Sequence, residues 1–308
     1  MLIKTGAFSM LHKFIFTTVV SAAMVALTGC GLFQSAYPEH FPADWKEKEM
    51  LSQSVRELAP GLTAYHYHFK DFKEGKPLSV NLVVADWKET EGKLAFMVDA
   101  VPGKKISVTA PVGGNVTVYS VAAGAEADLA GKPLTALKAA DGKIYEPAQA
   151  KNRIKGYSLL SSRNFFPMIK KSAPLYFADP LYENVIQGML LAENGKSVFS
   201  RSIAGAGAYT VIGLNQEKQL MILLVVDGYH PEKSPGVSLS DLPEILFALG
   251  AKDVLCINAG PSGSLALSGD NGLEIVSHPS GNGIFDHAGA REVQNRIVFR
   301  MVRDSDVK

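Results

Sequence analysis

Cysteine is nearly missing from this chain of 308 residues, which carries only Cys30 and Cys256. Cys256 sits in Asp253-Val254-Leu255-Cys256-Ile257, an apolar run that reads as a buried strand, and its sequence neighbours include no histidine to activate a thiolate. It reads as a small core hydrophobe. Excess charge of either sign is missing too: 31 basic residues stand against 30 acidic ones, a net +1. That balance argues against nucleic-acid binding, and no polybasic patch supports an electrostatic membrane contact. A long apolar run is also lacking. The N-terminal one, Phe14 to Leu27, holds fourteen residues, whereas about 20 are needed to cross roughly 30 Å of hydrocarbon. Gly-x-Ser-x-Gly does not occur, so a Ser-His-Asp hydrolase of the nucleophile-elbow type has no support. His66 and His68 share one face of a strand, yet no third ligand stands at a convincing spacing. Neither a metal nor another cofactor is implied.

What is present begins with the leader. Lys4 and Lys13 precede the apolar run, which ends in Leu27-Thr28-Gly29-Cys30. Met10 is an alternative start. A plain secretory leader would end in a small-x-small site without cysteine, whereas this ending resembles the lipobox of bacterial lipoproteins. The resemblance implies that residues 1–29 are a signal peptide, removed after the Cys30 thiol is alkylated by diacylglycerol. Cys30 then becomes an acylated, palmitate-bearing N-terminus. Several acyl chains anchor stably where one holds only marginally. Gly31, in place of the Asp that retains lipoproteins at the inner membrane, implies an outer-membrane location facing periplasm or cell surface in a Gram-negative host.

Residues 31–60 are polar and Pro-bearing and read as a lipidated tether over 30–60, with a helix near Asp44–Leu58. From Gly61 the period becomes two. Strands are expected over Leu62–Phe69, Leu78–Asp86 and Lys93–Asp99, within Ser107–Ala123, and near Tyr157–Ser161, Gly188–Ala192 and Ala208–Leu214. Gln219–Val226 is apolar on both faces and so belongs in the middle of a sheet. Ser240–Leu249 reads as an amphipathic helix capped by Ser240 and stopped by Gly250. These elements predict an α+β fold: one domain over 61–302, with a central mixed, largely antiparallel sheet and few helices.

The chemistry concentrates in the last third. Asp227-Gly228 follows the central strand, Ser234-Pro235-Gly236 precedes the helix, Asn258-Ala259-Gly260-Pro261-Ser262 follows the next strand, and Arg291-Glu292-Val293-Gln294-Asn295 stands near the end. This order resembles the phosphodiester glycosidase family, whose bacterial members include exopolysaccharide-biosynthesis proteins. The resemblance covers roughly Gly61 to Val298 in order and is specific from Val225 onward. It implies cleavage of the sugar C1–O bond of a sugar-1-phosphodiester in cell-surface or extracellular polysaccharide. On that reading Asp227 and Asn258 occupy the catalytic positions. Arg201, His230, Ser234, Gly260, Ser262, Arg291 and Asn295 contact a carbohydrate or sugar-phosphate polymer, with the Gly260–Gly263 backbone among the phosphate partners. Asp286 and Glu292 are secondary carboxylates, and His278 and His287 lie in a Gly-rich loop flanking the presumed cleft.

Each residue also has a plainer reading. Asp227-Gly228 is an ordinary turn by composition, Arg291 could pair with a surface acid, and His230 could be a solvent-facing loop histidine. The family's loop acid is replaced by Asn258, and its glycines at two places by Ala259 and Pro261. Asparagine hydrogen-bonds but cannot act as a base, and proline removes an N–H. The rival expectation is therefore an envelope protein that binds glycans or partners without turnover.

Overall fold

The computed structural model describes residues 37–39, 41–90, 93–100, 104–112, 117–123, 137–145, 156–162, 165–198 and 205–301. Cys30 and Arg201 lie outside them. Alternation along the chain makes strands, and two different faces of those strands are apolar. The strands are β1 (Met50–Ala59), β2 (Leu62–Lys73), β3 (Lys76–Asp86), β4 (Leu94–Ala100), β5 (Val118–Ala123), β6 (Leu137–Lys138), β7 (Ile144–Tyr145), β8 (Tyr157–Ser162), β9 (Phe165–Lys171), β10 (Asn184–Glu193), β11 (Lys196–Ser197), β12 (Tyr209–Asn215), β13 (Leu220–Val226), β14 (Asp253–Ala259), β15 (Leu265–Gly269), β16 (Gly272–Ile275) and β17 (Asn295–Met301). The helices are short: α1 (Ala43–Lys46), α2 (Pro174–Ala178) and α3 (Leu242–Ala248).

The larger sheet runs β1-β2-β3-β13-β12-β14-β10-β6-β7, with β8 and β11 also pairing β10, and β9 pairing β8. The smaller runs β16-β15-β5-β17-β4. Every strand pairing among the described residues is antiparallel. The sheet expected to be mixed and largely antiparallel thus holds no parallel pair among the described residues: β13 and β14 run the same way but are separated by β12, antiparallel to both. Their C-terminal ends therefore meet at one edge of the sheet, on either side of the start of β12.

One face of the larger sheet packs on the smaller one. Leu62, Ala64, Val83, Leu223, Val225 and Ile212 meet Phe96, Val98, Leu265, Ile297 and Phe299. The other face carries Tyr67, Phe69, Val80, Leu82, Leu224 and Val226 and is covered by Leu242, Ile245, Leu246 and Leu249 of the α3 segment. β13 is buried on both sides, as its unbroken apolar run requires. Each such side chain contributes about 1.5–3 kcal/mol relative to exposure, which fixes this strand at the centre.

Two expectations are corrected. The helix near residues 44–58 stops at Lys46, and the chain continues as β1, paired along β2 from Met50↔Phe69 to Ala59↔Leu62. β1 is an edge strand whose side chains are mostly exposed, so it shows none of the apolar alternation that marks a half-buried strand. Its place comes from backbone pairing. Phe41 and Trp45 are buried in the core, with Trp45 edge-on to Phe69 at 5.5 Å. The fold thus reaches back into the segment expected to be tether. The second correction concerns α3, which begins at Leu242, not at Ser240. The Ser240 hydroxyl is hydrogen-bonded to Ser238 Oγ (2.7 Å) and so does not cap the helix, and Asp241 stands at the boundary.

Candidate functional site

At the shared edge, the end of β13 delivers Asp227. Its backbone N–H donates to Ser79 O of β3 (3.0 Å), which continues the ladder one residue past the strand. Alternation places Asp227 on the same face as Val225, whose partner is Asn81; Asn81 in turn faces His66 of β2. The sequence that follows is constrained by close backbone approach. A Cβ on Gly228 would lie 2.5 Å from Ala208 N, and one on Gly236, at φ +91°, would collide with the Gly207 carbonyl. The glycines of Asp-Gly and Ser-x-Gly are thus needed because both turns press on Gly207. Between them Tyr229 holds φ +63° and is 49% exposed, a backbone conformation that costs a bulky residue energy.

The Asp227 carboxylate is 2% exposed and accepts four hydrogen bonds. Oδ2 takes Ser79 Oγ (2.6 Å), Asn81 Nδ2 (3.1 Å) and His278 Nδ1 (3.1 Å); Oδ1 takes the His278 backbone N–H (2.9 Å). The carboxylate expected to face a sugar is therefore fully occupied by protein donors. It fixes His278 twice, through ring and backbone. A carboxylate oxygen accepts, so His278 Nδ1 is the donor of this pair; in the neutral imidazole that leaves the lone pair on Nε2. The His278 side chain is 15% exposed.

Around this pair lies a cluster of aromatic rings. Phe285 stacks flat on His278 (4.0 Å, 4°) and contacts His68 (5.3 Å) and His230 (5.2 Å). His287 lies 4.5 Å from His278, and His66 5.8 Å. His66 Nδ1 is 2.9 Å from Asn81 Oδ1, and His68 Nε2 donates to Lys233 O at 2.9 Å. Burial, more than any neighbouring charge, pushes the pKa of both His66 and His68 below the usual imidazole range, which leaves both rings neutral at pH 7. Among the described residues no group of three or more His, Cys, Asp or Glu side chains could hold a metal.

β14 supplies the second half of the edge. Thr210 pairs with Asn258 and Val211 with Cys256, so Ile257 is the extra residue of a bulge. Strict alternation would aim Asn258 with Cys256 at the α3 face; the bulge aims it with Thr210 toward the Asp227 face. One strand intervenes, so the Asp227 and Asn258 backbones lie roughly 10 Å apart. Asn258 is 2% exposed and exchanges hydrogen bonds with Ser262 Oγ (3.1 and 3.4 Å). Ser277, next to His278, receives the Leu265 N–H (2.8 Å) where this loop ends, which ties the loop to the Asp227–His278 pair.

The remaining expected site residues fall into two groups. Arg291 is exposed and packs its stem beside Gly281, and Ser262 is half-buried; both are on or near this edge. Ser234 is fully buried: its Oγ donates to Asp227 O (2.7 Å) and accepts from Ser79 N (3.0 Å). It braces the turn and cannot meet a substrate. Asn295 is likewise fully buried, at the start of β17. His230 is 6% exposed, so it is not a solvent-facing loop residue. The Gly260–Gly263 backbone offers less than expected: Gly260 N–H donates to Ala208 O (3.0 Å) and Gly263 N–H to Gly260 O (3.3 Å). Pro261 has no N–H. Asp286 turns back on its own loop, taking Asn282 Nδ2 (2.9 Å) and the Ala288 N–H (2.8 Å). Cys256 is 5% exposed within the core, and its thiol donates to Asn258 O (3.3 Å).

A cavity of about 430 Å³ lined by Thr63, Tyr65, Val84 and Asp86 opens on the opposite face of β2 and β3. It contains no arrangement like that around Asp227, so chemistry and not size places the site.

A family model described as phosphodiester glycosidase matches residues 108–300. No curated protein matches the chain in sequence. Among solved structures, the chain is similar to the catalytic domain of zebrafish N-acetylglucosamine-1-phosphodiester alpha-N-acetylglucosaminidase, auto-inhibited by its pro-peptide. The identity is 14%, covering 86% of this chain and 95% of that one, with a TM-score of 0.59. A protein from Burkholderia pseudomallei matches at 11% identity over 83% of this chain and 97% of its own, with a TM-score of 0.52. At these identities the structural likeness establishes the shared fold.

Proposed function

This chain belongs to the phosphodiester glycosidase family, and from that premise we propose that it hydrolyses a glycosyl phosphodiester with His278 as the proton acceptor and Asp227 as the residue that positions it. The observation carrying this reading is the double hold of the buried Asp227 carboxylate on the His278 ring and backbone. Water adds to the anomeric carbon and the C1–O bond breaks. Its electron pair leaves on the phosphate oxygen, and His278 Nε2 takes the proton of the attacking water. The Asp227 charge stabilises the imidazolium that forms, in a setting too buried for solvent to screen it. The leaving phosphate monoester is already a stable anion, so cationic and hydroxyl donors at the rim suffice for it. We assign that role to Arg291 and Ser262.

The leader supports an envelope setting: a lipoprotein held by acyl chains on Cys30, acting on cell-surface or extracellular polysaccharide. In H₂¹⁸O, the purified protein should release a sugar carrying the label and an unlabelled phosphate monoester. Label in the phosphate would mean P–O cleavage and would sink the assignment. Expressed with its leader, the protein should carry acyl mass on Cys30, lost in Cys30→Ala.

Asn258 favours a second reading, binding without turnover. Its amide is engaged with Ser262 and supplies no acid. If neither the parent nor Asn258→Asp turns over while both bind a glycosyl phosphodiester, the binding reading holds.

A further inference from the structure

His230 poses a question that the proposed proton transfer does not answer. Its Nε2 is fully buried and has no hydrogen-bond partner, a rare condition for a polar atom and one that calls for a cause. Its ring stands edge-to-face with Phe285 at 78°, while the same Phe285 ring lies flat on His278 and touches His68. One phenyl ring is therefore walled by three imidazoles, one orphaned and one the proposed proton acceptor.

Phe285 is carried by a loop built to behave as a unit. Its neck is pinched where Gly281 N–H donates to Gly289 O (3.0 Å), and neither glycine tolerates a Cβ without collision. The tip is tied mainly to itself, through Asn282 with Asp286 (2.9 Å) and Ile284 N–H with Asn282 Oδ1 (3.0 Å). Ile284, beside Phe285, is 60% exposed. Compact loops with joined ends and internal packing are frequent carriers of function.

We infer that the space filled by the Phe285 ring is the subsite for the substrate's sugar ring, with Phe285 as its built-in occupant. This rests on the reading of the chain as acting on glycosyl phosphodiesters. A pyranose ring has about the girth of a phenyl ring and a flat C–H face that can lie on His278. Its hydroxyls both donate and accept, which suits imidazole nitrogens in either role and gives His230 Nε2 the partner it lacks. Bound there, the anomeric carbon lies beside the proposed proton acceptor. Phe285 competes with the sugar, so apparent affinity is reduced by the fraction of molecules in which the loop has swung away.

The test is a titration of the purified protein with glucose, mannose and N-acetylglucosamine, read by imidazole NMR. Phe285→Ala should bind at least one of them about tenfold more tightly than the parent, with the His230 resonance shifting on saturation. Phe285→Leu, which retains an apolar plug of smaller reach, should fall between. Phe285→Trp should not gain affinity, and Phe285→Ala/His230→Ala should lose what the single change gained. If neither Phe285→Ala nor Phe285→Leu binds more tightly, or if binding leaves His230 unmoved, the subsite is refuted. Since the readout needs no turnover, a protein that binds but does not hydrolyse keeps this inference and removes the proposed reaction. One that hydrolyses with no Phe285 effect does the reverse.

Discussion

Replacing His278 with alanine is expected to lower turnover of a glycosyl phosphodiester by about 10²–10⁴-fold, the range for losing a positioned general base. The loss should fall on kcat, with KM within a few-fold, because the residue acts on the proton of the attacking water. Asp227→Asn should cost nearly as much by another route. An amide carries no charge to stabilise the imidazolium, and its N–H₂ must take one of two positions that both accept donors now: Oδ1 from the His278 N–H, or Oδ2 from Ser79, Asn81 and His278 Nδ1. Residues acting as one unit are not additive, so the double variant should be little worse than the worse single one. Steady-state kinetics of the three proteins, with far-UV circular dichroism to establish folding, decide the matter. A folded His278→Ala protein within threefold of the parent refutes the assigned role.

The largest expected loss of stability lies elsewhere, at Arg296. This guanidinium is buried in β17 and directly opposite Asp99 of β4. Nε donates to Asp99 Oδ2 at 3.1 Å, and Nη2 contacts the same oxygen. Nη1 donates to the carbonyls of Ser107 (3.0 Å) and Ala110 (2.5 Å), which holds the segment before β5 to the smaller sheet. Arg296→Ala removes these partners together and leaves a part-buried carboxylate uncompensated. The expected cost is about 3–5 kcal/mol, read as a lower urea midpoint at unchanged slope. Arg296→Lys should recover only part of it, since a point charge cannot reproduce the fork. A loss under about 1 kcal/mol for the alanine variant would place Arg296 among ordinary surface pairs.

The family motifs were legible because their constraints are local. Asp227-Gly228 and Ser234-x-Gly236 are written in small residues, and the backbone contacts at Gly207 show why. The central strand was legible for a similar reason, since burial on both faces needs an unbroken apolar run. The partner of Asp227 was not, because His278 lies 51 residues away and only the return of the chain past β16 brings it back. Nor was the aim of Asn258, which depends on the Ile257 bulge and not on composition. Arg296 passed unnoticed beside Arg291 because the sequence does not distinguish a buried guanidinium from an exposed one. β1 was missed because an edge strand held by main-chain pairing leaves little apolar pattern to read.

The docking of Phe41 and Trp45 sets a geometric limit on the proposed lipoprotein. Tyr37 already stacks on Tyr67 at 5.9 Å, so the seven peptide units from Cys30 to Tyr37 span at most about 25 Å fully extended, and the chain is committed to the fold from there. The enzyme would then patrol a thin shell over the lipid headgroups and meet glycans at their membrane-proximal ends. Its access to a polymer would depend on how far that polymer bends back toward the bilayer, making leash length, as much as pocket chemistry, a determinant of what is cut.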